Sequence, residues 1–189
     1  MNLVHRRLAL CLFAAGLSVA ACARAPGGSI GGPFQLVDQN GRQQNQSILK
    51  GKWSAVFFGY TFCPDVCPLT LQTLADAQER LGPKAARFQV VFISVDPARD
   101  TPAQLKTYLS NPAYPKGTIG LTGSDAQVNA AAKAYYVLHQ KAGSGPDYQV
   151  EHSSAIYLMD PKGRFNRVVA AGLTPDEVVL QVSEAMRGA

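Results

Sequence analysis

Charge is scarce in this 189-residue chain: Asp, Glu, Lys and Arg make up 16% of it, and no basic stripe is interleaved with aromatic residues. That excludes a nucleic-acid-binding surface. Loss of residues 1–21 would remove Arg6 and Arg7 and no acid, taking the formal net charge from +5 to +3, a mild excess that reads as a solvated surface. Methionine is nearly absent, with three in all including Met1, so a thioether-rich metal site is excluded. Only three histidines and four cysteines are present, which keeps the possible ligand sets few. There is no internal repeat and no second composition. With 47% hydrophobic residues the chain has room for one domain with a substantial core.

The first twenty-one residues differ from the rest. His5, Arg6 and Arg7 precede an apolar, small-residue run over 8–21, too short for a comfortable transmembrane helix. This is the pattern of a signal peptide. Val19-Ala20-Ala21-Cys22 resembles a bacterial lipobox, in which cleavage precedes Cys22 and lipid is attached to its sulfur; an uncleaved anchor or a simple secreted product is the alternative. The expectation is an extracytoplasmic protein, lipid-anchored to a bacterial membrane and facing the periplasm. Residues 22–32, rich in Gly, Pro and Ala, read as a flexible tether, and 33–189 as the folded domain.

Within that domain, 34–38 alternates as a strand, Asn40-Gly41 is a hairpin turn and 42–46 a short polar return. Residues 53–60 and 88–95 are nearly continuous apolar strands, as in a sheet covered on both faces. Leu71, Leu74, Ala75 and Leu81 trace a helical face closed by Gly82-Pro83. Capping boxes at Thr101, Ser124 and Thr174 open three further helices, the first through Leu109 and the second running to about Leu138. Residues 111–117 and 142–147 read as loops, and 155–159 with 165–170 as a hairpin about Asp160-Pro161-Lys162-Gly163. The predicted class is α/β: a thioredoxin-like fold, with a central mixed sheet flanked by helices and an N-terminal β-hairpin.

With Cys11 lost in the leader and Cys22 lipidated, Cys63 and Cys67 remain. They lie four residues apart between a strand and a helix. Pro68 argues that Cys67 is not helical, because the residue before proline is pushed out of the α region. Both thiols are therefore expected on a loop at a helix N-terminus, where the dipole favours thiolate. An exported pair of cysteines is by default a structural disulfide. So small a loop constrains the unfolded chain little, which favours a redox or metal-binding pair.

Three stretches carry a resemblance: Thr61-Phe62-Cys63-Pro64-Asp65-Val66-Cys67-Pro68, Ser94-Val95-Asp96-Pro97-Ala98-Arg99-Asp100-Thr101-Pro102, and Tyr148-Gln149-Val150-Glu151-His152-Ser153. In that order and spacing they resemble the Sco/SenC family of copper-binding, membrane-anchored thioredoxin-fold proteins. Glu151 departs from the aspartate that often precedes the histidine, keeping its charge.

Two thiolates are soft donors that suit copper, and an imidazole completes a low-coordinate site. A zinc site completed by water is an alternative that the ligand list leaves open. Residue chemistry alone makes His152 either a third donor or a surface loop histidine; the resemblance makes it the third ligand beside Cys63 and Cys67. His139 is expected at a helix C-terminus and not as a ligand. Asp65, Asp96 and Asp100 read as turn and capping residues, and the resemblance adds a modulating or partner-binding role. Tyr148 reads as a packing residue or an aromatic neighbour of His152. Two functions follow from the resemblance. One is a copper metallochaperone for the copper-centre subunit of cytochrome c oxidase. The other is a thiol–disulfide oxidoreductase acting on that subunit's ligand cysteines.

Overall fold

The computed structural model describes residues 30–188; Cys22, the leader and most of the tether lie outside the described residues. Among the described residues, no helix is long and apolar enough to cross a membrane.

The chain begins with β1 (Gln35–Asp38) and β2 (Gln43–Asn45), the expected hairpin. Next come β3 (Trp53–Gly59), α1 (Val66–Arg80) and β4 (Phe88–Ser94), the last entered through a 3-10 segment at Gly82–Arg87. Then follow α2 (Pro102–Leu109), β5 (Ile119–Thr122) and α3 (Asp125–Ala134). The chain closes with β6 (His139–Ala142), β7 (Gln149–His152), β8 (Ile156–Met159), β9 (Phe165–Val169) and α4 (Pro175–Arg187). Seven strands form one mixed sheet in the order β2-β1-β5-β4-β3-β8-β9. Strands β3, β4 and β5 run parallel at its centre, and β8 joins β3 antiparallel. Strands β6 and β7 form a separate two-stranded ribbon.

Every residue of β3 is buried, and Trp53, Val56, Phe57, Phe58, Val91, Phe92 and Ile93 are fully enclosed. Removing a side chain of this size from water stabilises the fold by about 1.5–3 kcal/mol, which fixes β3 and β4 as the rigid floor of the site. Helix α1 packs on α4, α2 against β5 and α3 against β1.

Three expectations are corrected. Helix α1 starts at Val66, so Cys67 lies inside its first turn. Proline is tolerated there because its missing N–H has no intrahelical partner to lose. The second correction concerns α3, which ends at Ala134 rather than near Leu138. Tyr136 takes a left-handed conformation (φ 56°), and Val137 and Tyr136 donate back to the carbonyls of Ala132 and Lys133. That is a Schellman stop built on a tyrosine instead of the usual glycine, which is why periodicity did not mark it. His139 consequently opens strand β6 instead of closing a helix. Third, β5 is a strand that periodicity does not predict: four residues with Gly120 among them carry too little alternation, and the strand exists because β4 and β1 offer ladder partners on both sides.

Candidate metal centre

The site is built at the carboxyl ends of β3 and β4. Beyond Gly59 the chain turns through Tyr60 and Thr61 into the cysteine loop. Asp100, fully buried, holds that turn: it accepts from the Thr61 N–H (3.0 Å), the Thr61 hydroxyl (2.6 Å) and the Ser94 hydroxyl (2.6 Å). Burial raises its pKa, and these donors oppose the rise. Asp96 is equally buried and pairs with Arg99. The Arg99 guanidinium stacks over Tyr148 at 3.6 Å and over Phe62 at 4.6 Å, and donates to the Pro146 carbonyl at 3.1 Å. The Tyr148 hydroxyl donates to Asp96. One arginine thus ties the cysteine loop, the turn after β4 and the loop of the β6–β7 ribbon together. Stacking on a residue 49 positions away leaves no local sequence signal for this role of Arg99.

Cys63 and Cys67 are both free thiols, the first half-buried and the second buried. The Cys67 N–H donates to the Cys63 sulfur at 3.4 Å. A hydrogen bond from the Cys67 thiol, with help from the backbone N–H groups of Asp65 and Cys67, lowers Cys63 to about 5 against the opposing effect of burial. Cys67 is pushed up by sharing its proton with Cys63 and by burial. The pair therefore gives up its first proton readily and its second with difficulty. At neutral pH one thiol per chain should alkylate rapidly with iodoacetamide. That rate should fall as the pH drops through about 5, where Cys63 regains its proton. Two equally reactive thiols, or a rate falling already near pH 8, would contradict this.

His152 ends β7, and its Nε2 stands 3.6 Å from the Cys67 sulfur. Its Nδ1 lies 3.0 Å from the Ser153 carbonyl oxygen. A carbonyl only accepts, so Nδ1 carries the proton and Nε2 turns its lone pair toward the thiols. Tyr60 and Phe57 flank the imidazole, with ring centroids 5.9 and 6.4 Å away. The Tyr60 hydroxyl donates to Gln149 on the ribbon at 2.8 Å. The aromatic neighbours of His152 are thus Tyr60 and Phe57, while Tyr148 serves Asp96 and Arg99.

Among the described residues, one group of three or more His, Cys, Asp or Glu side chains converges as a metal site would require. It consists of Cys63, Cys67 and His152, whose donor atoms all lie within 4.8 Å of one another. Two sulfurs and a neutral imidazole fit a soft or borderline ion. Asp96 and Asp100 stand outside this group and act on the loops around it. Asp65 is exposed at the N-cap of α1 and makes no side-chain capping bond.

Gly59 admits the buried thiol. A Cβ built there would lie 2.8 Å from both the Cys67 sulfur and the Phe92 ring. Gly59→Ala should therefore destabilise the fold by about 1–3 kcal/mol and shift the Cys67 sulfur. Thermal unfolding and metal titration of that variant, both unchanged, would show that the close approach is dispensable.

A sheet with three parallel central strands, a dithiol at the start of a helix and a histidine facing it define a thioredoxin-like protein with a Cys–Cys–His centre. The comparisons place it more narrowly. The SCO1/SenC family model matches residues 23–187. Protein SenC of Rhodobacter capsulatus is 42% identical over 164 residues, covering 84% of this chain and 73% of that one. ScoI of Bradyrhizobium japonicum, solved with copper bound, superimposes with a TM-score of 0.75 at 41% identity, covering 82% of this chain and 99% of that one. BsSco, described with a disulfide switch and as a member of the Sco family of cytochrome c oxidase assembly proteins, gives 0.64 at 28% identity, covering 84% and 94%. This chain belongs to the SCO1/SenC family.

Proposed function

We propose that this protein is a copper metallochaperone. Cys63, Cys67 and His152 take up copper as cargo and pass it to the copper-centre subunit of cytochrome c oxidase. The observation that carries this reading is the convergence of two sulfurs and an oriented imidazole within 4.8 Å. The copper-bound relative and the oxidase-assembly relative supply the metal and the recipient. Chemically, Cys63 offers a thiolate at neutral pH, Cys67 releases its proton as the ion arrives, and His152 brings a neutral nitrogen. Titration of the reduced protein with Cu(I) against a chelator should give one ion per chain; no uptake would overturn the reading.

A second reading is favoured by the asymmetry of the two thiols. A half-buried thiolate beside a buried protonated partner is the arrangement of a dithiol reductant. In that role Cys63 attacks a disulfide of the recipient, and Cys67 then resolves the mixed disulfide, leaving both partner thiols reduced and the Cys63–Cys67 pair oxidised.

On this reading the site works outside the cytoplasm on a lipid anchor at Cys22, supported by Val19-Ala20-Ala21-Cys22 behind a basic, apolar leader. More than one acyl chain is needed for firm attachment. Intact mass of the mature protein from membranes should show cleavage before Cys22 and added acyl chains. A mature mass without lipid would contradict the anchor.

A further inference from the structure

We propose that His139 is a fourth donor, joining Cys63, Cys67 and His152 when the site holds Cu(II); this rests on the copper reading above. The register of the ribbon sets His139 directly opposite His152. On the adjoining rung the Ser153 N–H donates to the Leu138 carbonyl at 3.0 Å. The His139–His152 rung is therefore the narrow, non-hydrogen-bonded kind, with Cβ atoms about 4.5–5.5 Å apart.

Burial shows which way the pair faces. On β7, Val150 is buried and Glu151 exposed, so Val150 and the half-buried His152 share the inward face; on β6, His139 is half-buried while Gln140 and Lys141 are both exposed. Side chains alternate along a strand, so both imidazoles leave the same inward face of the ribbon. Both also line one open depression at the ribbon's end with Leu138, Gln140, Glu151 and Ser153, beside the cysteines and not lined by them. Among the described residues, no hydrogen bond engages the His139 ring, whereas the His152 ring is already oriented by Ser153. Rotation of the His139 side chain across this narrow rung is the movement that would bring its ring to an ion held by His152.

The oxidation state decides whether the second imidazole is used. Cu(I) is satisfied by two thiolates and one imidazole. Cu(II) favours a tetragonal set rich in nitrogen and oxygen donors. His139 stands outside the compact trio, so it is a ligand called on by the oxidised ion, and it makes the site discriminate between the two states of its cargo.

The test uses the reduced, metal-free protein loaded anaerobically with Cu(II) or with Cu(I). Pulsed electron paramagnetic resonance of Cu(II)-loaded wild type should count two coordinated imidazoles, and His139→Ala should count one. Cu(II) affinity of His139→Ala should fall about tenfold or more, with Cu(I) affinity unchanged. Co(II), which thiols do not reduce, gives a second readout: two paramagnetically shifted imidazole N–H resonances in wild type and one in the variant. A single imidazole in wild type with both ions overturns the proposal while leaving the three-donor site standing, and requires no variant to fold. Failure to bind either copper state overturns the copper reading as well.

Discussion

His152→Ala is expected to weaken Cu(I) binding at least about 10–100-fold, because loss of mere supporting groups around a metal already costs that much. The ring carries no core: it is half-buried at the end of a ribbon, and its contacts are edges of Tyr60 and Phe57. Fold stability should therefore change little. Thiol exchange with small disulfides should persist, since Cys63 owes its low pKa first to Cys67 and then to backbone N–H groups, with His152 contributing least. Two measurements on this variant separate the proposed roles: copper affinity by chelator competition, and oxidase copper content in cells lacking the wild-type protein. Unchanged affinity removes His152 from the ligand set. Lost affinity with a normally loaded oxidase removes the chaperone and leaves the reductase.

Oxidation of Cys63 and Cys67 to a disulfide should have a still larger effect. It consumes two of three donors at once, so copper affinity should fall by more than about 100-fold, given what removal of supporting groups alone costs. Reduction should restore it in full. The two sulfurs lie within 4.8 Å of each other, so closure needs little rearrangement of the helix start. The low pKa of Cys63 stabilises the reduced pair and makes it a good leaving group, so the disulfide should reopen readily with a dithiol. Equal and tight copper uptake by the fully oxidised protein would show that these sulfurs are not the ligands.

Much of the fold was legible because its signals are local. The apolar runs that became β3 and β4 could only be buried strands, and Ser124 and Thr174 open α3 and α4 with both halves of their capping boxes formed. At Thr101 half of the box forms, with Thr101 accepting from the Gln104 N–H. The elements that were missed have no local signature. Strand β5 depends on ladder partners elsewhere in the chain, and the end of α3 depends on one tyrosine in a left-handed conformation. The β6–β7 ribbon pairs two polar segments whose alternation shows only once one face has found the core.

The site divides in the same way. Sequence alone determined the residue types: two thiols at the start of a helix, few other soft donors, and a histidine ahead of a core strand. Residue chemistry fixes these, and no packing changes a sulfur into an oxygen. Only the tertiary structure decided which groups meet. It brought His152 to 3.6 Å from Cys67 and set Asp96 and Asp100 to holding loops instead of metal. It made Arg99 a clamp and moved His139 from a helix end to the rung opposite His152. Distances between residues 85 positions apart are set by sheet register and by buried hydrogen bonds, which exist only after the chain has folded.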